Sequence, residues 1–315
     1  MSLRAQTVTD WVCELHNDDP SDPFPATLVQ SLGDPRIRLV QHQQNLGPIE
    51  TFNQFYRPTE EPFYGLLEDD NTWEPTFLET MLAAMDAHPE ATLSWCNQRI
   101  LKEKLDGSLC ETGTFSNPPE TEHSPRLQPW GHNRQITGAL HANGAMLLRS
   151  RPNETYITPQ IPFGSVEAFR ERMFHHPLVY VPKPLATFTI TLQTARKHDH
   201  GEWGSVLAAL AGTYVKNAQP EATELNQICN YFRAQTPPMT DTLISAALAC
   251  REVRPLLGYL RVTDWVYFLI NSLRHPCNTW RSYRVRTRHP DWWDLLDCHT
   301  RARFREATST THTAA

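Results

Sequence analysis

The sequence predicts an α/β protein with a mostly parallel sheet flanked by helices, followed by a helical C-terminal region. Three observations predict it. From Trp11 to Trp95, short apolar runs alternate with amphipathic stretches across brief turns of Asn, Asp, Gly and Pro, as in repeated strand–helix units. Acids collect directly after two of the apolar runs, at Asp18-Asp19 and Glu68-Asp69-Asp70, and open parallel sheets bind ligands outside the carboxyl ends of their strands. After Glu202 the apolar spacing is helical throughout.

Taken in order, residues Met1 to Thr9 read as the end of a helix and Trp11 to His16 as a strand that runs into turn residues Asn17 to Pro23. A helix near Ala26 to Leu32 stops at Gly33-Asp34-Pro35, and Arg36 to Val40 is the second strand. Leu46-Gly47-Pro48 opens a helix through Tyr56, with Asn53 inside it. Phe63 to Leu67 is the third strand. Pro75 to His88 is a helix, because Phe77, Leu78, Met81, Leu82 and Met85 recur at its period. Ala91 to Trp95 is the fourth strand. Lys102 to Gln135, rich in Pro, Gly, Ser and Glu, is an irregular excursion that has room for a hairpin. Ala139 to Arg149 is strand, Arg151 to Phe163 loop, and Val166 to Phe174 a short charged helix. Leu178 to Val181 and Leu185 to Leu192 are strands, and a polar segment to Gly201 holds Arg196, Lys197, His198 and His200. Five helices fill Val206 to Arg274, with Trp292-Trp293 as core of the helical region. The expected division is 1–201 for the α/β domain, 202–304 for the helical region and 305–315 for a disordered tail rich in Thr and Ala.

Composition narrows the function. A net charge of −6 over 315 residues offers no broad basic field, so nucleic acid is not an expected partner. The seven cysteines are scattered and form no CxxC pair, which argues for reduced thiols and a cytoplasmic setting. No apolar stretch approaches the roughly 18 residues that span a bilayer, while peripheral contact with a membrane stays open.

Tyr64 to Pro75 is the stretch with the most chemistry. Three carboxylates at the end of a buried strand repel one another unless a cation sits beside them. A divalent cation bound to phosphate oxygens suits them, since hard cations take oxygen ligands and often only one or two protein carboxylates. The competing reading is a helix start, with acids favouring the dipole and Asn71 or Thr72 as cap.

Three blocks add a resemblance. Ser2 to Asp22 (SLRAQTVTDWVCELHNDDPSD), Asp34 to Asn53 (DPRIRLVQHQQNLGPIETFN) and Phe63 to Leu82 (FYGLLEDDNTWEPTFLETML) resemble, in order and spacing, the blocks of family 2 glycosyltransferases. The likeness covers residues 2 to 100 well and 138 to 200 loosely. It implies a GT-A-like, Rossmann-related fold and transfer of a sugar, of hexosyltransferase class, from a UDP-, GDP- or dTDP-sugar to a hydroxyl, usually with inversion. A glycan, a lipid-linked molecule or a small molecule would be the acceptor, and Mn2+ or Mg2+ the cofactor. Carried onto this chain, Asp18, Asp19, Asn53, Glu68, Asp69 and Arg196 would bind the nucleotide sugar. Asp70 and His198 would meet the metal, and Glu167 or Glu171 would be the base. The chain departs from the family in three places. It begins in the helix after the family's first central strand, Leu67 stands where many relatives carry the first acid of the DxD motif, and Ala168 follows Glu167 where the family usually has Asp. These departures motivate the alternative, a non-catalytic relative that binds a carbohydrate or partner.

Each candidate also has a plain structural role. Asp18 and Asp19 are ordinary turn residues, and Glu167, Arg170, Glu171 and Arg172 could form a solvated helix face of i,i+4 pairs. His141 and Asn143, by a run of small residues, are candidates for lining the acceptor side and are assigned to packing ahead of it.

Overall fold

A computed structural model describes residues 2–128, 143–150, 161, 165–174, 177–192 and 200–313. The chain divides into two compact units. The first holds residues 1–126, 142–163 and 179–193, and the second holds 127–141, 164–178 and 194–315.

In the first unit, β1 (Cys13–Asn17) and β2 (Ile37–Gln41) pair in parallel, with Glu14 beside Arg38. Helix α1 (Phe24–Leu32) connects them and stops at Gly33, whose φ of 55° lets its N–H reach the Val29 carbonyl. Helix α2 (Pro48–Phe55) follows Gly47, another left-handed residue, with Pro48 in the first turn.

A second sheet carries the core. Its order is β3 (Phe63–Gly65), β7 (Met146–Arg149), β4 (Leu93–Glu103) and β8 (Leu178–Ile190). β4 and β8 run parallel, whereas β7 is antiparallel to both β3 and β4, so the sheet is mixed. Leu93 to Gln98 are all buried, and α3 (Phe77–Ala87) lays Phe77, Leu78, Met81, Ala84 and Met85 into the core. Gln6 fastens the N-terminal segment to that helix. Its Oε1 accepts from the Leu78 N–H at 3.0 Å, and its Nε2 donates to the Glu74 carbonyl at 2.8 Å.

β4 runs eight residues beyond the expected end at Trp95. β5 (Leu109–Phe115) extends this ladder as an antiparallel partner, so the excursion opens as a hairpin. The turn is legible in hindsight: Gly107 has a φ of 79°, and Asp106 Oδ1 accepts the Ser108 N–H at 2.9 Å. β6 (Arg126–Gln128) follows.

Among the described strands, β1 and β2 form a sheet of their own, and β3 ends the other sheet.

The second unit is helical. It contains α4 (Val166–Arg170), α5 (His200–Ala218), α6 (Ala222–Ala234), α7 (Thr240–Ala249), α8 (Val262–Arg274), α9 (Pro276–Tyr283), α10 (Val285–Arg288) and α11 (Pro290–Thr313). Val206 to Ala211 of α5 are all buried. An ideal Cβ on Gly212 would lie 2.7 Å from the Trp293 ring and 2.9 Å from Val253, so glycine permits this close helix approach. Trp292 and Trp293 are core residues, as expected. Residues 254–259 are a 3-10 helix, where the spacing suggested an α-helix, and α11 is assigned through Thr313. No helix among the described residues is long and apolar enough to cross a membrane.

Candidate functional site

The acidic turn Glu68-Asp69-Asp70 follows the short third strand and is anchored from behind. The Asn71 side chain faces both ways. Its Nδ2 donates to Glu68 Oε2 at 2.6 Å, and its Oδ1 accepts the Thr189 N–H at 2.8 Å. The Thr187 N–H donates to the Thr72 carbonyl at 2.9 Å, the Thr72 N–H donates to Thr187 Oγ1 at 2.8 Å, the two hydroxyls lie 2.9 Å apart, and the Glu74 N–H reaches the Leu185 carbonyl at 2.8 Å. Residues 71 to 74 are thus laced onto β8. Trp73 is buried, stacks on Phe77 with ring centroids 4.2 Å apart, and donates from Nε1 to the Gly144 carbonyl at 2.6 Å. Glu74 pairs with Arg99 of β4. This fastening holds the backbone of the turn while Asp69 and Asp70 remain exposed.

Asp18 sits at the other end of α2. Its carboxylate accepts the N–H groups of Leu46 at 2.8 Å and Gly47 at 3.1 Å. Desolvation works against the charge, but these N–H bonds and the Thr51 hydroxyl hold the carboxyl below its ordinary value of 3.8. Asp19 is also held below 3.8, by the Ser21 hydroxyl and then the Ser21 N–H, at 2.7 and 2.9 Å. Asn53 is the buried residue of α2. At the end of that helix the buried Tyr56 hydroxyl donates to Asn143 Oδ1. The next residue, Gly144, lies against the Glu68 carboxylate and the Asn71 side chain. Helix α2, about 12 Å long at 1.5 Å per residue, therefore joins the region of Asp18 to that of Glu68.

Tyr56 and Gly144 were not singled out from the sequence, Asn71 was considered only as a helix cap, and Asn143 was assigned to packing ahead of the acceptor side. Asn71 carried a signal, since it follows the acids directly, but Tyr56 and Asn143 meet across 87 positions. His16 and His42 are a further pair, with Nδ1 and Nε2 at 2.9 Å and Glu14 3.3 Å from His16. Burial, ahead of its other contacts, lowers the pKa of His16.

Glu167 and Glu171 belong to the second unit. Glu167 is half-buried in α4. Glu171 is buried and pairs with the equally buried Arg172 at 2.9 Å. Arg170 is buried too, which corrects the reading of this segment as a solvated face of i,i+4 pairs: the bond joins neighbours, inside the protein. Arg196, His198 and His141 lie outside the described residues.

For a metal, the donor set is the test. Asp69 and Asp70 are exposed, and Glu68 is half-buried and accepts from Asn71. Among the described residues no group of three His, Cys, Asp or Glu forms a closed cage. An open site of one or two carboxylates suits a hard cation that shares its coordination with phosphate oxygens.

Residues 1–140 match the family model for glycosyl transferase family 2. The uncharacterized protein y4gI of Sinorhizobium fredii (strain NBRC 101917 / NGR234) is 26% identical over 112 residues, 35% of this chain and 12% of that protein. This chain thus matches only a small part of that relative's length. Two solved structures of S. aureus TarS 1–349, each 12% identical, match 96% of this chain and 86% of theirs. The one in complex with UDP-GlcNAc has a TM-score of 0.56, and the one in complex with UDP has 0.54. The longer S. aureus TarS structure, also 12% identical, gives 0.53 over 94% of this chain and 51% of its own. At this identity the likeness speaks for the fold. Residues 1–140 are thus similar to the family 2 glycosyltransferases, and the fold of the chain is GT-A-like.

Proposed function

We propose that the protein transfers a sugar, with inversion, from a nucleotide-sugar donor to an acceptor hydroxyl, using a divalent metal. The observation that carries the reading is the acidic turn, exposed at Asp69 and Asp70 and fixed from behind by Asn71, Thr72 and Trp73, within the segment that matches the family.

The chain's own groups divide the work. Asp18 orders the loop before α2, and with Asp19 and Asn53 it receives the nucleoside end of the donor. Glu68, held by Asn71, and Asp69 line the ribose and diphosphate side. Asp70, with His198, would hold Mn2+ or Mg2+, which when bound supplies Lewis acidity to the departing diphosphate. Arg196 adds positive charge toward the same phosphates. Glu167 takes the proton of the acceptor hydroxyl, in preference to Glu171. A base must be reachable by the acceptor hydroxyl: Glu167 is half-buried, whereas Glu171 is buried in its ion pair with Arg172. A uridine nucleotide is the first donor class to test, because the TarS structures hold UDP and UDP-GlcNAc. A glycan, a lipid-linked molecule or a small molecule could supply the hydroxyl. The seven free thiols support a reducing, cytoplasmic setting.

A second reading, a binding protein without catalysis, is favoured by Ala168, which stands where the family usually carries Asp. Calorimetry with UDP, GDP, CDP and dTDP, each with and without manganese, separates the two. Manganese-dependent binding of one nucleotide, lost in Asp70→Asn while the melting temperature holds, supports the enzyme. Full binding and turnover in Asp70→Asn would remove Asp70 from the metal site. No binding to any nucleotide would favour the second reading.

A further inference from the structure

Helix α8 carries apolar groups on its outward side. Its inward side mixes polar and aromatic groups: Asp264 is buried and pairs with Arg233 at 2.9 Å, Asn271 Nδ2 donates to Asp241 at 3.1 Å, and Trp265, Tyr267 and Phe268 are half-buried. Its outward side is aliphatic. Val262, Val266, Leu269, Ile270 and Leu273 recur at the helical period, and all are exposed, Val262 at 81% and Leu273 at 85%. Two amphipathic aromatics on α9 continue this exposure. Trp280 and Tyr283 are stacked with centroids 6.0 Å apart, and both are exposed. Isolated exposed apolar side chains are common, but an aliphatic stripe along a whole helix, with an exposed aromatic pair on the next helix, marks a contact surface.

The charge around the stripe identifies what it fits. Residues 251–289 contain eight arginines and two acids, in a chain whose net charge is −6. Of the two acids, Asp264 is buried in its ion pair. Arg261, at the start of α8, and Arg274, at its end, are exposed, as are Arg281, Arg284 and Arg288. Arg284 lies over the Trp280 ring at 5.6 Å, which puts a guanidinium next to the exposed aromatic pair. A two-fold contact between copies would bring this patch against itself and set arginine against arginine. An anionic lipid surface takes every component. Acyl chains receive the aliphatic stripe, the boundary between headgroup and hydrocarbon receives Trp280 and Tyr283, and the headgroups receive the arginines.

We propose that the outward face of α8, with Trp280, Tyr283 and the surrounding arginines, docks this protein on an anionic membrane surface. The helix lies in the plane of the interface and does not span the bilayer. The inference rests on the second unit alone and is independent of the sugar-transfer reading.

Co-sedimentation of the full chain with vesicles tests it. Vesicles of phosphatidylcholine mixed with phosphatidylglycerol pellet the protein, vesicles of phosphatidylcholine alone do not, and added salt releases it. Leu269→Asp combined with Leu273→Asp lowers the affinity for mixed vesicles about tenfold or more. Arg281→Glu combined with Arg284→Glu removes the preference for the anionic lipid. Both double variants keep the wild-type melting temperature, because all four side chains are exposed. Absence of binding to mixed vesicles overturns the proposal, as does unchanged binding in the leucine variant. A wild-type dimer that the leucine variant dissociates, with no lipid binding, would assign the face to a second copy. Binding to polyglutamate in place of vesicles would assign it to an acidic protein.

Discussion

Glu167 and Glu171 are one helical turn apart in sequence, and their surroundings separate them. Removing charge from Glu171 leaves the buried Arg172 guanidinium without its partner, and breaking a buried pair from one side costs about 3–5 kcal/mol. Burial already disfavours the charged Arg172, ahead of the help it receives from Glu171, and its pKa is lowered. Glu171→Gln is therefore expected to lower the melting temperature by many degrees. Glu167→Gln is expected to leave it unchanged and to abolish transfer while nucleotide binding persists. Thermal melting and turnover on the same two proteins check the pair, and a stable but inactive Glu171→Gln would reverse the assignment. Asp18 gives a prediction in pH. Its folded pKa lies below 3.8, so its contribution is complete above about pH 4 and is lost as the pH falls through the folded value. The wild type should lose melting temperature more steeply than Asp18→Asn below about pH 4, and parallel curves would show that the Leu46 and Gly47 bonds carry no stability. At neutral pH, loss of this capping carboxylate costs about 1 kcal/mol and raises the KM for the donor.

Among the elements, the helix contact at Gly212 is the most sensitive to volume. A methyl group added there meets the Trp293 ring and Val253 below normal contact distance. Gly212→Ala is expected to cost about 1–3 kcal/mol by overpacking, read as an earlier denaturant midpoint, and a neutral result would mean that α5 and α11 separate easily. Strand and helix positions up to Trp95 were legible because their apolar spacing is regular and their turns are rich in Asn, Asp, Gly and Pro. The continuation of β4 was not. Asn97, Gln98 and Arg99 look like a loop, and β5 and β8 make them strand by pairing on either side. Pro182 and Pro184 likewise suggested two strands where β8 is continuous, although β4 shifts register opposite them. The acidic turn could be read from three adjacent letters. Its supports could not, because Asn71–Thr189 and Tyr56–Asn143 join positions 118 and 87 residues apart. The outward stripe of α8 was hidden for the opposite reason: in sequence, an apolar helix face implies burial.

Over the whole molecule, burial is distributed unevenly. Each unit holds its own dense core, around Phe77, Leu93 and Trp95 in the first and around Phe232, Leu243 and Trp293 in the second. The segment from β1 to α2 is different. α1 and β2 bury no residue, β1 buries Asn17 and α2 buries Asn53. A sheet of two strands gains little independent stability, and this one holds the carboxylates assigned to the nucleoside. Amide deuteration should divide the first unit accordingly. Backbone amides of residues 13–55 are expected to exchange through small openings and those of Leu93 to Gln98 only through global unfolding, with mass spectrometry of the peptides as the readout. Uniform protection would contradict this. With donor bound, the early class should slow far more than the late one. Nucleotide recognition would then be accompanied by annealing of the strand pair, and part of the binding energy would appear as lost conformational entropy, not as affinity.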